Sequence, residues 1–188
     1  MTEKFDHRDV FLQGEKVALC ALTEKDVTES DWYGWFNDAD ICQTLQKHYF
    51  PNTVEKQRDF LRSLNSSDKK IQLGIRVIGD GHLVGVISLN NIDYINRRAE
   101  ISIVLGDRTA RNTKVFLESC RLIFRHAFHT LNLNRIHGGS ISEDLVKLMI
   151  RGLGCKSEGV ARQEIFKNGQ YSDVYRYAIL RVDFDLQK

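Results

Sequence analysis

RRAEISIVLGDRTARNTKVFLESCRLIFRHAFHTLNLNRIHGGS, residues 97–140, decides the fold. Ala99, Ile101, Ile103 and Leu105 alternate with Glu100, Ser102 and Val104, the period of a strand whose two faces meet different surroundings. A carboxylate therefore stands inside a strand. From Thr113 to Thr130, Phe116, Cys120, Ile123, Phe124 and Ala127, with Leu131 beyond, recur at intervals of three and four, the stripe of an amphipathic helix packed on a sheet. Arg135 to Ser140 is a second short strand. Strand, helix and strand in this order make a crossover between two parallel neighbours.

Working outward, Leu83 to Leu89 reads as a buried strand, and Ile71, Leu73, Ile75 and Val77 alternate as one face of another. Asp80-Gly81 joins them as a tight hairpin. Val17, Leu19 and Ala21 suggest an earlier strand. Residues 31–45 and 53–64 look helical, the second capped by Thr53. On the other side, Ser142 can cap a helix with an apolar face of Leu145, Leu148, Met149 and Leu153, ended by Gly154. Asn168-Gly169 turns a last hairpin. Hairpins followed by one crossover imply an α/β (α+β) fold with a mixed, mostly antiparallel central sheet, a parallel pair and flanking helices. Residues 1–188 read as one domain, with residues 1–13 a loose N-terminal extension.

The bulk properties exclude several classes. Lys and Arg number 27 against 25 Asp and Glu, a net charge of +2 without a basic stripe, so no nucleic-acid partner is expected. The four cysteines, Cys20, Cys42, Cys120 and Cys155, lack metal-ligand or C-x-x-C spacing and read as buried apolar residues in a reducing compartment. His126, His129 and His137 cluster without ligand spacing, so no metal is expected. The chain starts on a polar stretch without the apolar core of a leader, and no run of about 18 apolar residues follows, so no membrane contact and a cytoplasmic location are expected.

WFNDADIC at 35–42, HLVGVISL at 82–89, RRAEISIVLG at 97–106, LNLNRIHGG at 131–139 and RGLGCKSEGVARQEIFKNGQYSDVYRYAIL at 151–180 occur in an order and spacing that resemble the GNAT superfamily of N-acetyltransferases. The resemblance is to the branch of ribosomal-protein N-terminal and nucleotide-amino-sugar N-acetyltransferases, and it covers about Gly14 to Asp183. It implies a GNAT acyl-CoA N-acyltransferase fold, in which two parallel strands start side by side and then splay to admit acetyl-CoA as co-substrate. By this carry-over the backbone of Ile103, Val104 and Leu105 pairs with the pantetheine arm. The pyrophosphate rests on the loop from Gly106 and the first helical turn, drawing in Arg108, Arg111, Asn112, Thr113, Lys114 and Val115. The family's loop carries Gln or Arg, two residues, Gly, one residue, then Gly or Ala; here Arg111 is kept, while Lys114 and Phe116 replace the small residues. Two outcomes are open: Arg108, Arg111 and Lys114 cradle the phosphates through side chains, or the pocket has closed and the protein works as an interaction module.

Direct acetyl transfer needs a base for the ammonium, an oxyanion donor and an acid for the thiolate. Glu100 is the candidate base, with pairing to Arg97, Arg98 or a neighbouring strand as its structural alternative. The family's frequent acid, a tyrosine of the last helix, corresponds to Ile150; Ser140 and Ser142 are weaker substitutes, and Ser142 is more simply explained as a helix cap. The family's acceptor cleft implicates His48 of the HYFPN loop and Asn90, Asn91, Asp93 and Tyr94. Trp32, Tyr33, Trp35 and Phe36 are too many aromatics for one stripe, which offers Trp35 as a wall of that cleft or as core. The acceptor is a small-molecule amine, a nucleotide-linked amino sugar being favoured over a protein N-terminus. Dimers are common among such proteins, and the tyrosine-rich final strand could serve a homodimer.

Overall fold

The computed structural model describes residues 9–45 and 49–187. Their strands are β1 (Val10–Gln13), β2 (Val17–Cys20), β3 (Ile71–Val77), β4 (Leu83–Asp93), β5 (Arg98–Leu105), β6 (Arg135–Ser140), β7 (Lys156–Lys167) and β8 (Gln170–Leu180). They form one eight-stranded sheet in the order β1-β2-β3-β4-β5-β6-β8-β7. Every neighbouring pair is antiparallel except β5 and β6. The expected mixed sheet with one parallel pair is thus present.

Helix α4 (Thr113–His129) makes the crossover from β5 to β6 and lies on one face of the sheet. Its stripe lands where the period requires: Phe116, Cys120, Ile123, Phe124 and Ala127 are buried with Ala99, Ile101 and Ile136. Phe124 has no exposed surface, and its burial alone contributes about 1.5–3 kcal/mol. Helix α5 (Glu143–Leu153) joins the same face through Val146, Met149 and Leu153, and the short α6 (Arg181–Asp185) closes the chain. The opposite face carries α1 (Glu24–Glu29), α2 (Trp32–Trp35) and α3 (Val54–Asn65). There Val27, Trp32, Trp35 and Leu61 pack against Leu83 and Val86. Asp26 of α1, buried, pairs with Arg76 of β3 and fixes that layer to the sheet. Among the described residues no helix is long and apolar enough to cross a membrane.

Three elements differ from expectation. The helix expected over residues 31–45 is only the four-residue α2, followed by turns. Asp38 explains the stop: its Oδ1 accepts from the amides of Asp40 and Ile41 at 2.8 and 3.1 Å, a local turn that competes with helical bonding. Residues 10–13 belong to no loose extension, because β1 pairs with β2 in the register Val10↔Cys20 to Gln13↔Ala18. Strand β4 runs on to Asp93, past the end at Leu89 expected for it. Between Asn90↔Glu100 and Asp93↔Arg98 it holds one extra residue, a β-bulge in which Asn91 takes φ 53°.

Candidate active site

Strands β5 and β6 pair at Arg98↔Arg135, Ala99↔Ile136 and Glu100↔His137, and there the pairing ends. Both strands continue, to Leu105 and Ser140, so they part immediately beyond Glu100. The amide of Gly106 donates to Val84 O of β4 at 3.0 Å. By strand alternation, Ser102 and Val104 therefore turn their backbone groups toward β4, and Ile101, Ile103 and Leu105 turn theirs toward the gap. The Ile101 N–H closes the last rung on His137 O, as the Glu100↔His137 pairing requires, and beyond it the backbone groups of Ile103 and Leu105 have no strand opposite. This corrects one expected contact, since the backbone of Val104 faces β4 and its side chain packs with the Trp32 and Trp35 layer.

A cleft of about 770 Å³ runs from this gap to α3. Its floor comes from three adjacent strands, where the register sets Gln72 beside Ser88, Ser88 beside Ser102, and Asn90 beside Glu100. Asn90 Nδ2 donates to Ser88 Oγ at 3.1 Å and to Ser102 Oγ at 3.2 Å, which locks this polar surface. The bulge aims Asn91 at the base candidate: its Nδ2 donates to Glu100 Oε2 at 3.3 Å. Neither neighbouring arginine claims that carboxylate. Arg97 binds Asn132, through Nε to its carbonyl at 2.7 Å and through a guanidinium N–H to Oδ1 at 2.8 Å, while Arg98 pairs with Asp93 at 3.4 Å. The far wall is α3, with Lys56, Gln57 and Phe60, and the roof is the segment Tyr49 to Asn52. That roof is tied down by Asn52, whose amide donates to Asn37 Oδ1 at 2.7 Å and whose Nδ2 donates to Gln57 Oε1 at 2.9 Å.

On the gap side the cleft meets Gly139, Ser140, Leu145 and Tyr177. Tyr177, 5% exposed, stands opposite Gly138 in the β6–β8 register. A Cβ at Gly138 would lie 2.6 Å from its Oη, so the glycine is what lets the phenol lie flat over β6. Burial pushes this phenol well above its ordinary range. Sequence reasoning missed Tyr177, which reads as one more alternating strand residue; the paired glycines of HGGS were the signal of a close approach.

In the loop before α4 and its first turn, Lys114 and Phe116 both stand clear of the gap. Phe116 is buried among the core residues under α4, and Lys114 is exposed; neither lines the cleft. Asn112 caps α4 by accepting from Val115 N at 3.0 Å, and the helix itself offers no acceptor to the amides of Thr113 and Lys114. Arg111 Nε donates to Leu105 O at 2.9 Å, at the gap-facing end of β5. Arg108 points elsewhere: it bonds Asp38 Oδ2 at 3.2 Å and Asp40 Oδ2 at 3.0 Å, so its charge is already matched. The residues present fit a diphosphate-bearing thioester, with open backbone on β5, free first-turn amides and one arginine at the mouth.

Other expected contacts fall outside the cleft. Trp35 is core, 5% exposed and pressed against Gly106. Asp93 accepts from the amides of Ile95 and Asn96 in the β4–β5 turn, and those bonds, the Asn96 amide first, hold its carboxyl below the usual range. Tyr94 is half exposed and donates to Asp68 O at 3.1 Å. His48 lies outside the described residues. Ser142 is a cap, its Oγ accepting from Leu145 N at 3.3 Å, and it does not line the cleft. Ser142→Ala is expected to lower unfolding free energy by about 1 kcal/mol in urea denaturation and to leave turnover unchanged. Among the described residues no group of three or more His, Cys, Asp or Glu is placed to hold a metal ion.

A family model described as an acetyltransferase (GNAT) domain matches residues 16–144. The Bacillus subtilis (strain 168) protein YdaF, whose name assigns it provisionally to ribosomal N-acetyltransferases, is 30% identical over 110 residues, 58% of this chain and 60% of that one. Spermidine N(1)-acetyltransferase of Escherichia coli (strain K12) is 29% identical over 103 residues, 54% of this chain and 55% of that one. The match thus spans less than two thirds of either relative. Among solved structures, spermidine N-acetyltransferase from Vibrio cholerae in complex with CoA and spermine superposes with a TM-score of 0.82. The superposition covers 91% of this chain and 99% of that one at 21% identity, a likeness of fold.

Proposed function

Because the chain belongs to the acetyltransferase (GNAT) family, we propose that it moves an acetyl group from acetyl-CoA to a primary amine by direct attack of the amine on the thioester. The observation that carries this reading is the parting of β5 and β6 beside Glu100, with a cleft passing through the gap. Acetyl-CoA would be held by the gap-facing backbone of Ile103 and Leu105, by Arg111, and by the first-turn amides of Thr113 and Lys114. When bound, the thioester supplies an electrophilic carbonyl and a thiolate leaving group.

The chain's own residues divide the proton work between the two faces of the sheet. Glu100, held by Asn91, takes the ammonium proton on the α3 face, directly or through water. Tyr177, on the α4 and α5 face, donates its proton to the departing thiolate, the role left open by Ile150. None of the relatives named above is named for an amino sugar, and the acceptor is held here at a small primary amine.

Amine-dependent thiol release from acetyl-CoA tests the reading. Tyr177→Phe is expected to lower kcat by about tenfold to a hundredfold with little change in KM. Thiol release by no amine at all, or a Phe variant as fast as the parent, would sink the respective assignment.

A further inference from the structure

We propose that Lys167 is a positioning residue for the acceptor amine, anchoring the roof of the cleft to the tip of the β7–β8 hairpin. The inference rests on reading that cleft as the acceptor site. In the sequence Lys167 is an ordinary hairpin lysine, next to the Asn168-Gly169 turn. In the structure it is 9% exposed, and lysines are almost never buried to that degree unless their ammonium is satisfied.

Its partners single it out. Lys167 Nζ donates to the carbonyls of Cys42 and Leu45, the latter at 2.6 Å. Both residues lie in the turns and bends that follow α2, and Leu45 lines the cleft. The residue before Lys167 holds another part of the roof: Phe166 O accepts from Tyr49 Oη at 3.2 Å. It can do so because β7 is the edge strand of the sheet. In the hairpin, Lys167 pairs with Gln170 and turns its backbone groups toward β8, which leaves the carbonyl of Phe166 on the free edge. Ile165, two positions back and so on the same face of the strand as Lys167, is itself a cleft residue. Three consecutive residues of β7 thus supply one piece of wall and the fastenings for two pieces of roof.

The roof needs such a fastening because residues 36–45 form turns and not a helix, so the segment holds its shape largely through contacts made elsewhere in the chain. An ammonium has three N–H bonds to give and can hold two carbonyls at once, and bonds from a charged donor are about twice as strong as neutral ones. Acetyl-CoA is assigned to β5 and the first turn of α4, and neither carbonyl partner of Lys167 belongs to those elements. Loss of the ammonium should therefore weaken the hold on the amine and spare the cofactor. A lysine that only stabilised the fold would lower every kinetic constant alike.

Thiol release gives the KM for the amine and the KM for acetyl-CoA separately, using whichever of spermidine, 6-aminohexanol and 2-phenylethylamine the parent turns over fastest. Lys167→Met should raise the amine KM by about tenfold or more, while kcat and the KM for acetyl-CoA stay within about threefold. Gln170→Ala, exposed and opposite Lys167 in the hairpin, should match the parent. Tyr49→Phe, at a position 50% exposed where folding is not at stake, should raise the amine KM by about twofold to fivefold, and it decides the matter if Lys167→Met does not fold. An amine KM that either substitution leaves unmoved, or a KM for acetyl-CoA that rises as much as that for the amine, would overturn the inference. Thiol release with no amine refutes the transferase reading and the inference together; thiol release whose amine KM is indifferent to Lys167 refutes the inference alone.

Discussion

Glu100→Gln is expected to lower kcat for acetyl transfer by about a hundredfold to ten-thousandfold while the affinity for acetyl-CoA stays within a factor of about two. The substitution keeps the shape of the side chain and removes only its capacity to take a proton. Asn91 Nδ2 can still donate to the remaining carbonyl oxygen, so the bulge that positions the group is preserved. The cofactor contacts proposed above come from the backbone of β5 and from the loop before α4, on the other side of the strand edge, which is why binding should survive. A structural carboxylate would behave differently: its loss would lower stability and spread over kcat, KM and affinity alike. The amine offers a second check. In the variant the reaction depends on amine already deprotonated in solution, and an alkylamine titrates near pH 10. The variant's rate should therefore climb steeply between pH 7 and about 9.5, more steeply than that of the parent. Turnover within about threefold of the parent would remove Glu100 from the base role.

Much of this site was legible before any coordinates. The strict alternation from Ile71 to Val77, the Asp80-Gly81 turn and the stripe of α4 each rest on a single local rule, and each element stands where the rule put it. Glu100 was legible for the same reason, since period two alone turns it away from Ile101. The remaining features depend on contacts distant in sequence. Tyr177 gains its place only because β8 sets it opposite Gly138, next to strands that have just separated. Asn91 reaches Glu100 through a bulge whose positive φ no pattern announces. Arg108 looked like a phosphate ligand from its position in the loop; two aspartates some 70 residues earlier had already taken it. Phe116 looked like an obstruction where the family has a small residue. One helical position is enough to turn it into the core instead.

Trp35→Ala should cost about 3–5 kcal/mol of unfolding free energy, the largest single stability effect anticipated outside the sheet centre. Its indole is 5% exposed, surrounded by Val27, Trp32, Leu61, Leu83 and Val86, and it meets the backbone where β5 gives way to the cofactor loop. A Cβ at Gly106 would lie 2.0, 2.2 and 2.5 Å from Cδ2, Cε2 and Cε3 of that ring. The backbone there cannot retreat, because the amides of Gly106 and Asp107 both donate to Val84 O, at 3.0 and 3.1 Å. Gly106→Ala should therefore cost about 1–3 kcal/mol by overpacking, and it should also weaken acetyl-CoA binding by displacing the loop that starts at that residue. The two substitutions should not add. With the indole gone, the methyl group that Gly106→Ala introduces enters the space it vacated, so the double variant should be more stable than the sum of the single losses by about 1 kcal/mol or more. Urea denaturation of the four proteins of this cycle measures the coupling directly. Strict additivity would mean that the ring and the loop are mechanically independent, and it would cut the link between the aromatic layer and the cofactor loop on which the placement of Arg111 and the first-turn amides depends.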